Sequence, residues 1–278
     1  MSYILPSTLN EALDALSDDV TVLAGGTDVF PGATVVGMPD KVLDITGVKE
    51  LRGISETDKA YRIGALTTWT DVARAELPAQ FDSLKLAAIE IGSLQIQNAG
   101  TLAGNLCNAS PAADGVPPLL TLNASVELAS PNGIRCLALA DFIFGNRRTA
   151  LEAQEMVTAI LIPKDINQSV SHFIKLGARK YLVISIAMVS VVLETDPSGS
   201  ITQARVAVGA CSEVAQRLPD VEKALLGISV QDAATVVQFE QFDHLSPISD
   251  VRATKEYRKN AAVELVKRAL DKCAEKLS

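Results

Sequence analysis

Two segments combine glycine with small or hydroxyl-bearing residues, a composition typical of backbone that contacts a ligand closely. The first, Ala24-Gly25-Gly26-Thr27-Asp28, directly follows the apolar run Val20–Leu23. Glycine lets the backbone turn its N–H groups toward a ligand, and such groups can bind phosphate oxygens. We expect a side chain at Gly25 to fill the space where backbone would meet phosphate. Taken alone, however, this pentapeptide is more typical of an ordinary turn after a strand.

The second segment runs from Asn98 to Asp114 and has almost no bulky or charged side chains. It contains Thr101-Leu102-Ala103-Gly104-Asn105 and ends in Ser110-Pro111-Ala112-Ala113-Asp114. We interpret it as a long loop that offers hydroxyl and carboxamide donors, with Gly104 placed like Gly25. Ser110-Pro111 could begin a helix, with serine as the N-cap and proline in the first turn. So neutral a loop is unusual in a chain of net charge −8, which favours a functional role.

Several site classes are disfavoured by what the sequence contains. Neither segment is a G-x-G-x-x-G or G-x-x-x-x-G-K-[ST] motif, so a Rossmann site is not indicated. The two histidines, His172 and His244, disfavour a histidine-based triad or metal site. The four cysteines form no C-x-x-C pair, which disfavours zinc and iron–sulfur ligation in this chain and indicates a reduced, cytoplasmic location.

Bulk composition indicates a folded globular chain. Of its 278 residues, 48% are hydrophobic and 21% are charged. The negative charge disfavours a nucleic acid partner. The longest apolar run, Ile184–Leu193, is interrupted by two serines and is too short to span a bilayer, and the N-terminus does not resemble a signal peptide.

Periodicity and turn residues predict alternating helices and strands up to Pro163 and an antiparallel sheet with helices after it. We therefore place a domain boundary in the polar stretch 164–171. Before the boundary, the predicted elements are a helix that begins with a capping box at Thr8–Glu11, strands at 20–23, 41–45 and 62–65, a helix at 83–91, and a hairpin of 126–128 with 134–137 around Asn132-Gly133. After it come a strand pair at 183–193 and 201–208 and a C-terminal helix. The apolar stripe of that helix (Val263, Val266, Leu270, Cys273, Leu277) is expected to pack on the chain's own sheet.

Over nearly its whole length, the chain resembles the FAD-binding (medium) subunits of the molybdenum hydroxylases, such as xanthine dehydrogenase and carbon monoxide dehydrogenase. The two glycine-containing segments look like that family's two FAD loops. Weaker blocks follow in the family's order at 144–149, 160–163, 173–180, 204–209 and 250–258. The chain departs from the pattern at Ala103-Gly104, where many members have Gly-Gly.

The resemblance implies an α+β fold. The expected architecture is the two-domain FAD-binding fold of the vanillyl-alcohol oxidase and p-cresol methylhydroxylase type, plus a C-terminal antiparallel sheet with helices. Residues 1–165 would form the FAD-binding domain, with two α/β subdomains split near residue 54. Residues 170–278 would form a C-terminal domain of the CO dehydrogenase flavoprotein type.

The resemblance also implies which residues contact FAD. Lys175 would approach the pyrimidine edge of the flavin ring, where an ammonium stabilises the negative charge gained on reduction; without the resemblance, Lys175 would be a surface lysine closing a strand. Tyr181 could shield the ring, although a lone aromatic is more often a packing residue. No catalytic or metal-ligating residue is assigned. The implied FAD contacts are Val22, Leu23, Ala24, Gly25, Gly26, Thr27, Asp28, Val29, Thr101, Leu102, Ala103, Gly104, Asn105, Ser110, Asp114, Val157 and Lys175.

The function implied is electron transfer inside a larger oxidoreductase. A small partner with [2Fe–2S] clusters would deliver electrons, and FAD would pass them to NAD⁺, a quinone or oxygen. A large partner would carry the molybdenum cofactor, in a dimer of heterotrimers. Two alternatives remain open: a self-contained flavin oxidoreductase of the same fold, and a flavin-free assembly module.

Overall fold

The chain begins with a small parallel sheet. The computed structural model of the protein describes residues 2–164 and 169–277. The first three strands pair in the order β1-β3-β2, and helices α1 and α2 connect them. These elements are β1 (Ser2–Ile4), α1 (Leu9–Asp14), β2 (Thr21–Leu23), α2 (Val29–Val36) and β3 (Lys41–Asp44).

The predicted start of α1 is confirmed, with one difference in the capping box. Thr8 is the N-cap, and its hydroxyl accepts the N–H of Glu11. The Glu11 carboxylate accepts the N–H of Ser7 at 2.8 Å instead of closing the box on Thr8. The cap therefore reaches one residue further back than the sequence pattern predicts.

A second, antiparallel sheet follows, in the order β4-β5-β10-β6-β7. The predicted hairpin of β6 and β7 is confirmed, and Gly133 in its turn has φ +129°. A short hairpin of β8 and β9 lies outside this sheet. The strands are β4 (Ile54–Glu56), β5 (Ala60–Gly64), β6 (Ser125–Ser130), β7 (Gly133–Ala138), β8 (Ile143–Gly145), β9 (Arg148–Thr149) and β10 (Met156–Pro163).

In the described residues, six α-helices accompany the second sheet, and one of them, α6 (Leu102–Asn108), lies within the long loop predicted between Asn98 and Asp114. Thr101 caps α6 by accepting the N–H of Gly104, and Leu102, Ala103 and Leu106 of that helix are buried. The loop prediction was wrong because apolar residues at helical spacing are hidden among small polar ones. The helices are α3 (Trp69–Arg74), α4 (Asp82–Glu90), α5 (Leu94–Ala99), α6 (Leu102–Asn108), α7 (Val116–Thr121) and α8 (Leu139–Phe142).

The helix start predicted at Ser110-Pro111 is also wrong. The Ser110 hydroxyl accepts the N–H of Ala112 at 3.2 Å, which closes a local turn. The next helix, α7, begins only at Val116 and has prolines in its first turn, where a missing N–H costs little. Residues 109–115 are therefore a compact turn that leads from α6 to α7.

The C-terminal part is an antiparallel sheet in the order β11-β12-β13-β14. The predicted strand pair is confirmed, except that β12 begins at Ala187 and not at Val183. The predicted domain boundary includes residues 165–168, which lie outside the described residues. The elements are β11 (Val170–Leu176), β12 (Ala187–Thr195), β13 (Ile201–Gly209), β14 (Gln216–Arg217), α9 (Pro219–Leu225) and α10 (Lys255–Leu277).

This sheet is covered on both faces. Alternate residues of β12 from Val189 onward pack with the apolar stripe of α10, as predicted, and Val266, Leu270 and Cys273 are fully buried. The opposite face meets α4 and α7, where the Thr121 and Ser190 hydroxyls lie 2.8 Å apart. Because α7 is fixed on this sheet, the turn at 109–115 lies against the beginning of β12.

Candidate functional site

A cleft of about 400 Å³ lies between the two glycine-containing segments. This volume falls within the range of small-molecule sites, roughly 300–1,000 Å³. One wall is Val22 and the run from Ala24 to Val29. The other wall and the ends of the cleft are formed by Trp69, Ile91, Ile96, Gly100, Thr101, Gly104, Asn105, Cys107, Asn108 and Arg147.

The two walls touch at Gly25. A Cβ on Gly25 would lie 1.9 Å from the carbonyl oxygen of Ala99 and 3.0 Å from the Cα of Gly100. Such contacts are sterically impossible, so the glycine is needed for the two segments to pack. The sequence-based reason given for Gly25 was therefore wrong: its missing side chain leaves room for neighbouring backbone.

The first wall presents an array of unpaired backbone donors. Among the described residues, the N–H groups of Gly25, Gly26, Thr27 and Asp28 have no hydrogen-bond acceptor. Gly26 has φ +67°, a left-handed conformation that glycine adopts at little cost. Successive N–H groups in such a turn form an anion-binding concavity. This wall can therefore bind phosphate oxygens without a cluster of cations.

The second wall is fixed by backbone hydrogen bonds. The Trp69 N–H donates to the Gly100 carbonyl at 3.1 Å, and the Leu102 N–H donates to the Thr67 carbonyl at 3.0 Å. A Cβ on Gly104 would meet only the Thr101 hydroxyl oxygen, at 2.9 Å. This wall therefore holds its shape through backbone hydrogen bonds to the segment 67–69.

Two carboxamides of the second wall lack a partner. The Oδ1 atoms of Asn105 and Asn108 are buried and form no hydrogen bond within the described residues. Buried polar side-chain atoms are nearly always hydrogen-bonded, so we expect these two oxygen atoms to bond a ligand, an ion or a water molecule. Both residues line the cleft, which indicates a polar ligand there.

An ion pair joins the first wall to the hairpin of β8 and β9. Arg147, in the turn of that hairpin, donates from Nη1 and Nη2 to the two carboxylate oxygens of Asp28, each at 3.0 Å. Asp28 is the N-cap of α2 but forms no cap hydrogen bond. Arg147 is the single cationic side chain among the described residues that line this cleft. Sequence reasoning missed this role, although the block at 144–149 contains the residue.

A second cleft of about 440 Å³ adjoins the first and shares Ala24, Gly25 and Thr101 with it. Arg52 lies in this cleft and donates to both carboxylate oxygens of Asp71, at 3.0 and 3.1 Å. The further lining residues are Thr46, Lys49, Leu66, Thr68, Asn98 and Ala99. The two clefts therefore lie on either side of the contact between the walls at Gly25.

Asp114 lies in a buried polar cluster near the first cleft. Lys175 Nζ donates to Asp114 Oδ2 at 2.5 Å and to the Glu90 carbonyl at 3.4 Å, next to the cleft residue Ile91. The Asp114 and Lys175 side chains are 7% and 5% exposed. Burial raises the pKa of Asp114, although the ion pair with Lys175 and hydrogen bonds oppose the rise. The alternative interpretation of Lys175 as a surface lysine was wrong.

The predicted site residues fall into two groups. Val22, Thr101, Gly104, Asn105 and the run from Ala24 to Val29 line the first cleft. The others do not: Leu23, Leu102, Ala103 and Val157 are buried in the core, and Ser110, Asp114 and Lys175 are outside the lining of the cleft. The alternation of β2 and the packed face of α6 account for the buried members.

Several lining residues had no signal in the sequence. Trp69 lies far from both glycine segments in the chain and is brought to the cleft by α3. Cys107 also lines the cleft, but burial raises the pKa of its thiol to about 12, so the thiol stays protonated. Of the two roles left open for Tyr181, packing does not fit, because the side chain is 59% exposed, with Lys180 Nζ 5.1 Å from the centre of its ring.

The described residues offer neither a metal-binding cluster nor a membrane-spanning helix. No group of three or more His, Cys, Asp or Glu side chains there could hold a metal ion. No helix in residues 2–164 and 169–277 is both long and apolar enough to cross a membrane.

Comparison with known families identifies the family of the chain. Residues 1–165 match the family model of the FAD binding domain in molybdopterin dehydrogenase. The chain belongs to the FAD-binding subunits of the molybdenum hydroxylases. Residues 172–273 of this FAD-binding subunit match the CO dehydrogenase flavoprotein C-terminal domain. The predicted family, the oxidoreductase class and FAD as the cofactor are therefore confirmed.

Individual relatives agree with this assignment. The subunit is 37% identical over 234 residues to the nicotinate dehydrogenase FAD-subunit of Eubacterium barkeri, covering 81% of this chain and 79% of the relative. It is 31% identical to the nicotine 6-hydroxylase medium subunit of Paenarthrobacter nicotinovorans, covering 96% and 95%.

A solved structure shows the same fold. Reconstituted CO dehydrogenase from Oligotropha carboxidovorans contains a chain that superposes with a TM-score of 0.90 at 26% identity, covering 99% of this chain and 98% of that one. The predicted α+β fold class is confirmed. The free N–H groups of the first wall and the unpaired carboxamides of the second fit a dinucleotide such as FAD.

Proposed function

We propose that this subunit receives electrons from the [2Fe–2S] clusters of a small partner subunit and passes them through its FAD to NAD⁺, a quinone or oxygen. Substrate hydroxylation would take place on a large partner that carries the molybdenum cofactor, in a dimer of heterotrimers. When bound, FAD supplies the exchange between one-electron and two-electron carriers. The protein's share is to bind and orient the cofactor and to tune the charge around it.

The row of unpaired N–H groups at Gly25, Gly26, Thr27 and Asp28 carries this proposal. We propose that these donors bind the pyrophosphate. Thr101, Gly104 and Asn105 would face it from the opposite wall. Arg147 would supply the positive charge at the rim once its pairing with Asp28 is shared with the ligand.

The two adjoining clefts suit a two-part ligand. FAD has a ring system and an adenosine joined by a pyrophosphate, and the two clefts meet at the shared residues Ala24, Gly25 and Thr101. We propose that the ring lies in the first cleft, because Ile91 places it near Lys175 and Asp114. The adenosine half would then occupy the second cleft. Val157 and the buried residues Leu23, Leu102 and Ala103 would support these walls from the core, and Ser110 would shape the turn that leads to Asp114.

Domain limits and location remain part of the proposal. We assign residues 1–165, with a subdomain split near residue 54, to cofactor binding and residues 170–278 to a C-terminal domain that closes over the ring. All four cysteines are free, which supports a reducing, cytoplasmic location.

Flavin content and co-purification test the function together. The untagged chain, expressed with its neighbouring reading frames, should co-purify with a large molybdenum protein and a cysteine-rich small one, and denaturation should release FAD. A chain that runs alone and turns over a substrate would support the self-contained flavin oxidoreductase instead. A chain that assembles with partners but shows no flavin absorbance would support the assembly module.

A further inference from the structure

The Asp114 carboxylate is held by two side chains from the C-terminal part of the chain, Lys175 on β11 and Ser185 in the connection between β11 and β12. Ser185 Oγ donates to Oδ1 and Lys175 Nζ donates to Oδ2, each at 2.5 Å. Asp114 itself belongs to the turn between α6 and α7. Ser185 is only 2% exposed. Each carboxylate oxygen therefore has its own buried donor, and both donors come from the other half of the chain.

The backbone next to Ser185 is fixed from two sides. The Ile186 N–H donates to the Leu176 carbonyl at 2.7 Å, and the Ile186 carbonyl accepts Nη1 of Arg258 at 2.6 Å. Arg258 is buried, and its Nη2 donates to Asp250 at 2.7 Å. The Ser185 hydroxyl is therefore held at Asp114 by contacts that do not involve Asp114. This is how a supporting residue preorganises a functional group.

The charge balance at Asp114 depends on few groups. Burial raises the pKa of Asp114, whereas the ion pair with Lys175 and hydrogen bonds from Lys175 and Ser185 lower it. Among the described residues, Lys175 is the single charged side chain that bonds this carboxylate. Without the Ser185 hydroxyl, one oxygen of a buried carboxylate would lose its donor. Asp114 would then take up a proton more readily, and Lys175 would keep an unbalanced positive charge.

We propose that Ser185 is a positioning residue that keeps the Asp114 carboxylate paired with Lys175 and so limits the net positive charge beside the flavin ring. This inference rests on the proposed place of the ring near Lys175. An unbalanced ammonium stabilises the anionic reduced ring more than the neutral oxidised one. Losing the Ser185 hydroxyl should therefore raise the reduction potential of the bound FAD.

The test is the reduction potential of FAD in the full chain, measured for Ser185→Ala at several pH values. We expect at least a tenfold shift toward reduced flavin near neutral pH, or about 30 mV for a two-electron couple. The shift should shrink as the pH rises, because Asp114 then ionises even without its serine donor. Ser185→Thr, which keeps the hydroxyl, should restore the wild-type potential.

Two controls separate this role from a structural one. Ser190→Ala removes a buried hydroxyl of the adjoining strand β12, which is bonded to Thr121 and not to Asp114, and should leave the potential unchanged. Asp114→Asn should raise the potential by itself, and adding Ser185→Ala to it should change nothing further. If Ser185→Ala does not fold, Asp114→Asn and Ser185→Thr still give the test.

The outcomes are distinct. Normal FAD content with an unchanged potential in Ser185→Ala, or in Asp114→Asn, overturns the inference and leaves the proposed function intact. A shift by Ser185→Ala that persists in the Asp114→Asn background also overturns it. A wild-type chain that binds no FAD overturns the proposed function, and this inference with it.

Discussion

The two walls of the cleft are built in opposite ways. The second wall is capped by Thr101, bonded to residues 67–69 and anchored by Leu102, Ala103 and Leu106 in the core. The first wall has four unpaired N–H groups and continues into α2, a helix with no buried residue. In that helix Val35 and Val36 are 85% and 86% exposed.

This difference shows where ligand binding energy is gained. An N–H group that lacks an acceptor raises the free energy of the protein, so a ligand that accepts from it contributes more binding free energy than one that contacts a satisfied group. The second wall has already bonded the N–H groups of Gly100, Leu102, Gly104 and Asn105 inside the protein and acts as a rigid platform. We therefore expect FAD to stabilise the first wall more than the second, and substitutions in the two walls to have different consequences.

The largest effect is expected at Gly25, where the walls meet. Gly25→Val places a Cβ 1.9 Å from the Ala99 carbonyl oxygen, so the walls must separate. Overpacking of this kind costs about 3 kcal/mol, and both stability and flavin content should fall. Gly32→Val is the matched control, because no atom lies within 4 Å of a Cβ there. Denaturant unfolding and flavin absorbance measure the two effects; equal behaviour of both variants would contradict the packing role of Gly25.

Gly104→Val should separate binding from folding. Its Cβ would meet only the Thr101 hydroxyl, a side chain that can rotate away, so the fold should persist. The displaced hydroxyl and the added bulk would narrow the cleft, and FAD affinity should fall at least tenfold. Titration with FAD, beside a melting curve, checks this. If this variant binds FAD with wild-type affinity, Gly104 is not part of the FAD site.

Thr101→Val should weaken the second wall alone. It removes the hydroxyl that accepts the Gly104 N–H, and loss of an N-cap costs about 1 kcal/mol. Thr101→Ser retains the cap and should be nearly as stable as the wild type in denaturant unfolding. Comparable destabilisation by serine would mean that the methyl group, and not the cap, is what matters.

The smallest effect on stability is expected at the exposed ion pair of Arg147 and Asp28. Arg147 and Asp28 are 65% and 47% exposed at their side chains, and such pairs contribute less than about 1 kcal/mol. Arg147→Ala should therefore leave the melting temperature almost unchanged while weakening FAD binding a few-fold, more strongly at low salt. Arg148→Ala, at the adjacent exposed position, should have neither effect. An equal loss of affinity in the two variants would indicate general charge attraction.

Local signals in the sequence predicted much of the fold. Three features were predicted from residues close together in the chain: the Asn132-Gly133 turn, the cap at Thr8 and the apolar stripe from Val263 to Leu277. Prediction failed where tertiary packing decides. The segment 102–108 has a polar, glycine-containing composition, yet it is helical because three of its apolar side chains fill a core that only the folded chain forms.

The site shows the same limit. The glycine segments indicate where backbone contacts a ligand, but the Gly25–Ala99 contact and the Arg147–Asp28 pair join residues 74 and 119 positions apart. Hydrophobic periodicity in the sequence cannot predict contacts between residues so far apart in the chain. Trp69 and Ser185 likewise become relevant only in the folded chain, where α3 brings Trp69 to the cleft and the segment before β12 brings Ser185 to Asp114.

Amide hydrogen exchange of the full chain, with and without FAD, tests the central claim most directly. If the first wall binds the pyrophosphate through its backbone, exchange at Gly25 to Asp28 should slow strongly on adding FAD, while amides of the second wall that are already bonded, such as Leu102 and Gly104, should change little. FAD binding that leaves exchange at Gly25 to Asp28 unchanged would contradict the account.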